Sequence, residues 1–153
     1  MKRESILFLI VALVLLFVSC ASNTVRVSDG ADFSKYRYIS IDNSLNAAGV
    51  DVSGLVSSQM SRSDENNQTN YDLINYPSRR QLNDTIMLSY KCEISGNYVK
   101  TQVLLNDAAT GDLLASNEGS DPIMHNYKGN EEAEKAIVKR LTEIKKILND
   151  SNK

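Results

Sequence analysis

The sequence predicts an α+β domain: an antiparallel sheet of about five strands, with a long C-terminal helix and one short helix packed on one face. Three observations point there. Between residues 86 and 117, three β-rich runs follow one another with only short turns between them, the pattern of an antiparallel meander. From 130 to 148, apolar residues recur at steps of three and four, which makes an amphipathic helix with one stripe to bury. A helix of that kind lies across a sheet face, and the two layers then share one core.

In chain order, the first strand is expected at Arg37-Tyr38-Ile39-Ser40-Ile41, led in by Phe33-Ser34-Lys35-Tyr36. Asp51 is a candidate N-cap for a short helix through about Arg62, with Val52, Leu55, Val56 and Met60 as its apolar stripe. Gly54 and four serines lower its intrinsic helicity. After a polar loop at 63–70, Tyr71-Asp72-Leu73-Ile74-Asn75-Tyr76 reads as a short strand stopped by Pro77. Strands follow at 86–94, 98–105 and 113–117. The turn between the last two, Asn106 to Asp112, contains Gly111, suited to a left-handed position. Residues 118–129 read as a loop. The final helix starts from Asn130 as N-cap, with Glu131 and Glu132 in the first turn where the helix dipole favours negative charge. Ala133, Ile137, Leu141, Ile144 and Leu148 form its buried stripe, and Lys135, Lys139, Arg140, Lys145 and Lys146 are placed on the solvated side.

The N-terminus carries the most specific signal. Lys2 and Arg3 precede thirteen consecutive apolar residues, Ile6 to Val18, then Ser19 and Cys20. Thirteen residues fall short of the roughly 20 that cross a bilayer as a helix, and the pattern is that of a signal peptide. Leu16-Phe17-Val18-Ser19-Cys20 resembles the lipobox of lipoprotein signal peptidase substrates, which implies cleavage before Cys20 and lipidation of Cys20. The expected organisation is a signal peptide at 1–19, a lipidated N-terminus with a flexible polar tether at 20–32, and a single domain at 33–149. Ala21 and Ser22 follow Cys20, and neither resembles the aspartate that retains enterobacterial lipoproteins in the inner membrane. Outer-membrane attachment facing the periplasm is the resulting expectation.

Composition narrows the classes of partner. The formal charge of −2 becomes −3 once Lys2, Arg3 and Glu4 leave with the signal peptide. A weakly acidic chain without a basic cluster argues against nucleic acid and against a polybasic membrane surface, so the lipid is the membrane contact. With Cys20 lipidated, Cys92 has no cysteine partner and reads as a buried strand residue. His125 is the single histidine, and no spacing of His, Cys or Asp suggests a metal site. No nucleophile motif, phosphate loop or Ser-x-x-Lys pair is present, so neither an enzyme nor a cofactor is expected. Asp84-Thr85-Ile86 resembles the three-residue O-glycosylation signal used on exported proteins in one Gram-negative phylum, which makes Thr85 a candidate acceptor. Seven tyrosines and no tryptophan leave open a contact surface for protein or sugar, although strand tyrosines usually serve packing.

Asp29, then Ala31-Asp32-Phe33-Ser34-Lys35-Tyr36-Arg37-Tyr38 shortly after a lipobox cysteine, is similar to the opening of a group of small Gram-negative envelope lipoproteins. Those carry an α+β domain of unknown function. The strand, turn and strand from Val103 to Ala115, with Asp107-Ala108-Ala109-Thr110-Gly111 as a "D-x-x-T-G" turn, and the terminal helix resemble the same group. The resemblance implies an envelope domain and no catalytic residue. Together these readings predict a non-catalytic, outer-membrane-anchored lipoprotein that binds an envelope protein in assembly or integrity. A periplasmic small-ligand or glycan-binding module is the alternative, and an enzyme centred on His125 or Cys92 the third.

Overall fold

A computed structural model describes residues 22–42, 52–61, 71–123 and 129–151. Six strands form one sheet: β1 (Ser22–Val27), β2 (Tyr38–Asp42), β3 (Asp72–Ile74), β4 (Thr85–Ser95), β5 (Tyr98–Asp107) and β6 (Leu113–Pro122), in the order β1-β6-β5-β4-β2-β3. Two helices, α1 (Val52–Ser61) and α2 (Gly129–Asp150), share one hydrophobic core with the sheet. The α+β class therefore holds. Three details of the expectation need correction.

First, the sheet is mixed. The β4-β5-β6 meander is antiparallel, but β2 runs parallel to both β3 and β4. The long connection from β2 through α1 to β3 is a crossover, which places the returning strand parallel to the first. Second, the described residues hold six strands rather than five. Ser22–Val27, within the stretch read as a tether, pairs antiparallel with β6 from Ser22↔Ser120 to Val27↔Ala115. Third, β6 continues through Pro122, in what reads as a loop from residue 118. The last two corrections have one cause. Glu118-Gly119-Ser120 has no strand propensity of its own, yet it lies between β1 and β5 with ladder partners on both sides, and Asp121 and Pro122 continue the ladder with β5.

The core follows the expected alternation. Ile86, Leu88, Tyr90 and Cys92 of β4 are buried, and so are Val99, Val103 and Leu105 of β5. Against them pack Ala133, Ala136, Ile137, Leu141, Ile144 and Leu148 of α2, and Val52, Val56 and Met60 of α1. Arg140 departs from its expected place on the solvated side. It is fully buried, within the same stripe as Ile137 and Leu141. Lys145 also does more than face solvent. Its Nζ donates to the Gln59 carbonyl at 3.1 Å, in the last turn of α1, where the helix dipole favours a cation.

The two motifs that carried the family resemblance meet at one end of the sheet. Asp107 closes the β5-β6 turn by accepting from the backbone N–H groups of Ala109 (2.8 Å) and Thr110 (3.1 Å). Its other oxygen accepts from the Tyr36 hydroxyl at 2.7 Å and from Lys35 Nζ at 3.2 Å. Gly111 takes φ +80° in that turn, the left-handed conformation expected of it. Gly111→Val is accordingly expected to destabilise the domain by about 1–2 kcal/mol, because a β-branched residue is strained at positive φ. A lowered urea midpoint at unchanged m-value would register it.

Candidate functional site on the helix-free sheet face

Both helices cover the same side of the sheet, so the other side is left to side chains that alternate outward. The register aligns them in rows. Thr24, Glu118, Gln102 and Lys91 form one row across β1, β6, β5 and β4, and Ser22, Ser120, Lys100 and Glu93 form the next. These residues line a shallow depression of about 350 Å³. Gln102 Nε2 donates to Glu118 Oε2 at 3.4 Å, and Arg26 lies 3.9 Å from the other Glu118 oxygen. Glu93 stands directly opposite Lys100, an arrangement of opposite charges that favours this register modestly. The surface offers hydroxyls, an amide and charges of both signs. It is not lined by aromatic residues.

Beneath the depression, on the helix side, Arg140 holds the edge strand. Its Nε donates to Thr101 Oγ1 at 3.2 Å, Nη1 to Asn23 Oδ1 at 2.9 Å, and Nη2 to the Ser22 carbonyl at 3.4 Å and to Asp121. Asp121 also accepts from Lys139 at 2.7 Å. Asn117, itself buried, donates to the Arg140 carbonyl at 3.2 Å. Burial pulls the Arg140 pKa below the ordinary guanidinium value, and the Asp121 charge opposes that. Gly119 makes room for the guanidinium, since a Cβ there would lie 2.6 Å from Arg140 Cζ and would collide with the Ser22 carbonyl. One side chain thus ties together β1, β5, β6 and α2. Its groups are all committed to the fold, so this is a structural cluster.

The residues singled out from the sequence are scattered. Cys20 and His125 lie outside the described residues. Thr85 is fully buried, and its hydroxyl donates to the Gln81 carbonyl at 2.7 Å, so in the folded chain it is not open to glycosyl transfer. Cys92 is buried, and burial pushes its thiol pKa up, the opposite of what a nucleophilic cysteine needs. Among the described residues, three of the chain's seven tyrosines are buried. Tyr36 reaches Asp107, and Tyr71 donates to the Phe33 carbonyl at 3.1 Å. Tyr90 is buried as well. Tyr76 and Tyr98 are exposed, Tyr76 in the loop after β3 and Tyr98 at the start of β5. Tyr127 lies outside the described residues. Among the described residues, no group of three or more His, Cys, Asp or Glu could hold a metal ion. The alternation of Lys91 and Glu93 with buried neighbours did signal a solvent-facing side. What sequence could not signal is that neither described helix covers it.

The fold is similar to that of solved structures. The PelC dodecamer from Paraburkholderia phytofirmans is 17% identical, over 81% of this chain and 98% of its own, with a TM-score of 0.50. A point variant of that protein is 15% identical, over 84% and 99%, with a TM-score of 0.51. The likeness is one of fold. A PDZ domain protein from Parabacteroides distasonis is 11% identical, over 81% of this chain and 35% of its own, with a TM-score of 0.47. No family model and no curated protein matches the chain.

Proposed function

We propose that this chain is a lipid-anchored envelope protein, held in the outer membrane through Cys20 and facing the periplasm, whose domain is a non-catalytic protein-interaction module in envelope assembly or integrity. One observation carries the reading: a polar and charged sheet face that neither described helix covers extends across four strands as a shallow depression. The strongly engaged ionisable groups, Asp107 and Arg140, are spent on structural bonds, which leaves Lys91, Glu93, Lys100 and Glu118 to meet a partner. Further copies of the chain are the first partner to test. Similar folds occur as a dodecamer, and β1 presents an open sheet edge with Val25 41% and Val27 48% exposed.

Crosslinking in native envelopes, followed by identification of the bound chains, tests this reading. Lys91→Glu with Lys100→Glu is expected to abolish crosslinks made through the face, and Val25→Lys with Val27→Lys those made through the edge. A crosslink pattern unchanged in both variants would sink the interaction reading. Cys20→Ser is expected to remove the acyl groups and the protein's recovery in outer-membrane fractions, which mass analysis of the N-terminal peptide and fractionation would show. A second reading draws on the depression itself. Its hydroxyls, amide and paired charges suit a polar small ligand or glycan, and saturable binding of a glycan fragment that Glu118→Ala removes would favour it.

A further inference from the structure

We infer that the tip of the β4-β5 hairpin, with Ile94 and Tyr98, rests on the membrane that holds the lipid anchor. The inference rests on the reading of Cys20 as the lipidated residue, and goes beyond it by fixing which end of the domain meets the bilayer.

The argument is one of register and chain length. A flexible linker of twelve residues would let the domain stand roughly 20 Å from its anchor. The pairing of β1 removes most of that length, because Ser22 is already hydrogen-bonded into the sheet opposite Ser120. Only Ala21 lies between Ser22 and Cys20. Two residues of chain span at most about 7 Å, so the anchored residue is confined to one end of the sheet. That end is marked by the rows next to Ser22. Ser120 pairs with Lys100, Lys100 with Glu93, and two residues further on Pro122 pairs with Tyr98 and Tyr98 with Ser95. At about 3.4 Å per residue, the Tyr98 row lies about 7 Å beyond Ser22, level with the furthest reach of Cys20. The hairpin turn, Gly96 and Asn97, projects past it. An anchor on so short a lead cannot hold the bilayer clear of the hairpin.

The side chains there suit an interface. From Ile94 to Val99 the hairpin carries no charged residue, while Glu93 and Lys100 stand just behind. Ile94 is 42% exposed and Tyr98 45%, on opposite faces of the sheet. Tyrosine favours the headgroup level, where its ring meets acyl chains and its hydroxyl stays wet. The tip is rigid enough to transmit the contact, since Val99 is buried and the Ile123 N–H donates to the Asn97 carbonyl at 2.7 Å. The opposite end of the sheet, at Leu113 and the Asp107 turn, faces away from the bilayer.

The absence of tryptophan makes the test direct. The full-length lipidated protein, as Tyr98→Trp and separately as Leu113→Trp, is reconstituted into phosphatidylcholine–phosphatidylglycerol vesicles with or without brominated acyl chains. Both sites are partly exposed, so both variants should fold, which circular dichroism checks. Indole emission of Tyr98→Trp is expected to fall about two-fold in brominated vesicles, and that of Leu113→Trp to stay within about a tenth of its value. Unquenched emission from Tyr98→Trp, or equal quenching of both variants, in protein whose N-terminal peptide carries acyl groups on Cys20 would overturn the contact and spare the anchor. An N-terminal peptide without acyl groups on Cys20 would instead overturn the anchor, and the orientation built on it.

Discussion

Arg140→Ala is expected to destabilise the domain by about 3–5 kcal/mol, a large share of the 5–15 kcal/mol typical of a folded protein. The size follows from what the side chain leaves behind. Buried Thr101 would lose its guanidinium partner, and so would Asn23 and the Ser22 carbonyl at the more open edge of the cluster. The cavity left by a long side chain adds to that. Arg140→Met fills the cavity and leaves Asp121 paired with Lys139, so its cost should be clearly smaller. Gly119→Ala attacks the same cluster from the other side, since its Cβ meets backbone as well as the guanidinium, and overpacking should cost about 1–3 kcal/mol. Urea titrations give the three values, and amide exchange gives the location. Because the helix reaches β1 through Arg140, exchange at Asn23 and Thr24 should quicken before exchange at Val103. Loss of under about 1 kcal/mol in Arg140→Ala would show that the cluster is not a stabilising centre.

The second large effect lies at Asp107 and is expected in the pH profile. Burial pulls this carboxyl's pKa upward, but the Tyr36 hydroxyl, the Ala109 and Thr110 N–H groups and Lys35 outweigh that and hold it at about 2. A carboxylate lowered to about 2 from an ordinary value near 4 contributes about 2 kcal/mol of stability. Its folded pKa is the lower one, so this contribution is complete above pH about 4 and is lost as pH falls toward about 2. Asp107→Ala should remove it at neutral pH and, in addition, leave the buried Tyr36 hydroxyl without its acceptor, for a total of about 3 kcal/mol. Asp107→Asn keeps a single acceptor oxygen, enough for the Ala109 and Thr110 N–H groups, and loses the charge, so it should flatten the acid limb between pH 4 and 2. Chemical denaturation at stepped pH would show this. An acid limb of the same steepness in Asp107→Asn would mean that other carboxyls carry it. Lys35 is half exposed and adds little, because water screens its pair with Asp107.

The sequence made parts of these clusters visible. The D-x-x-T-G turn and the Phe33-Ser34-Lys35-Tyr36 segment stood out as separate motifs some seventy residues apart, and nothing in either announces that Tyr36 donates to Asp107. Arg140 was legible by position and hidden by type. It falls three residues after Ile137 and four after Ala136, squarely on the buried stripe, but an arginine on an amphipathic helix is ordinarily solvated. A glycine opposite it in a strand was the other clue, since a glycine within a strand often marks a close approach. The helix-free face was readable as an outward-facing pattern on β4 and β5 only.

Patterning along the chain by itself determined the α+β class, the β4-β5-β6 meander, the two helices and the apolar stripe of α2, because periods of two and 3.6 are properties of short windows. It also marked Cys20, through signals confined to twenty residues. Only the tertiary structure decided that Ser22–Val27 is a strand, that β6 runs on to Pro122, and that β2 lies parallel to β3 and β4. Edge strands of polar residues hold their shape through hydrogen bonds to a neighbour ninety residues away, and parallel order follows from where a crossover returns. Neither is written in local sequence. That difference turns an apparent tether into the strand that leaves Ala21 alone between Cys20 and the folded sheet.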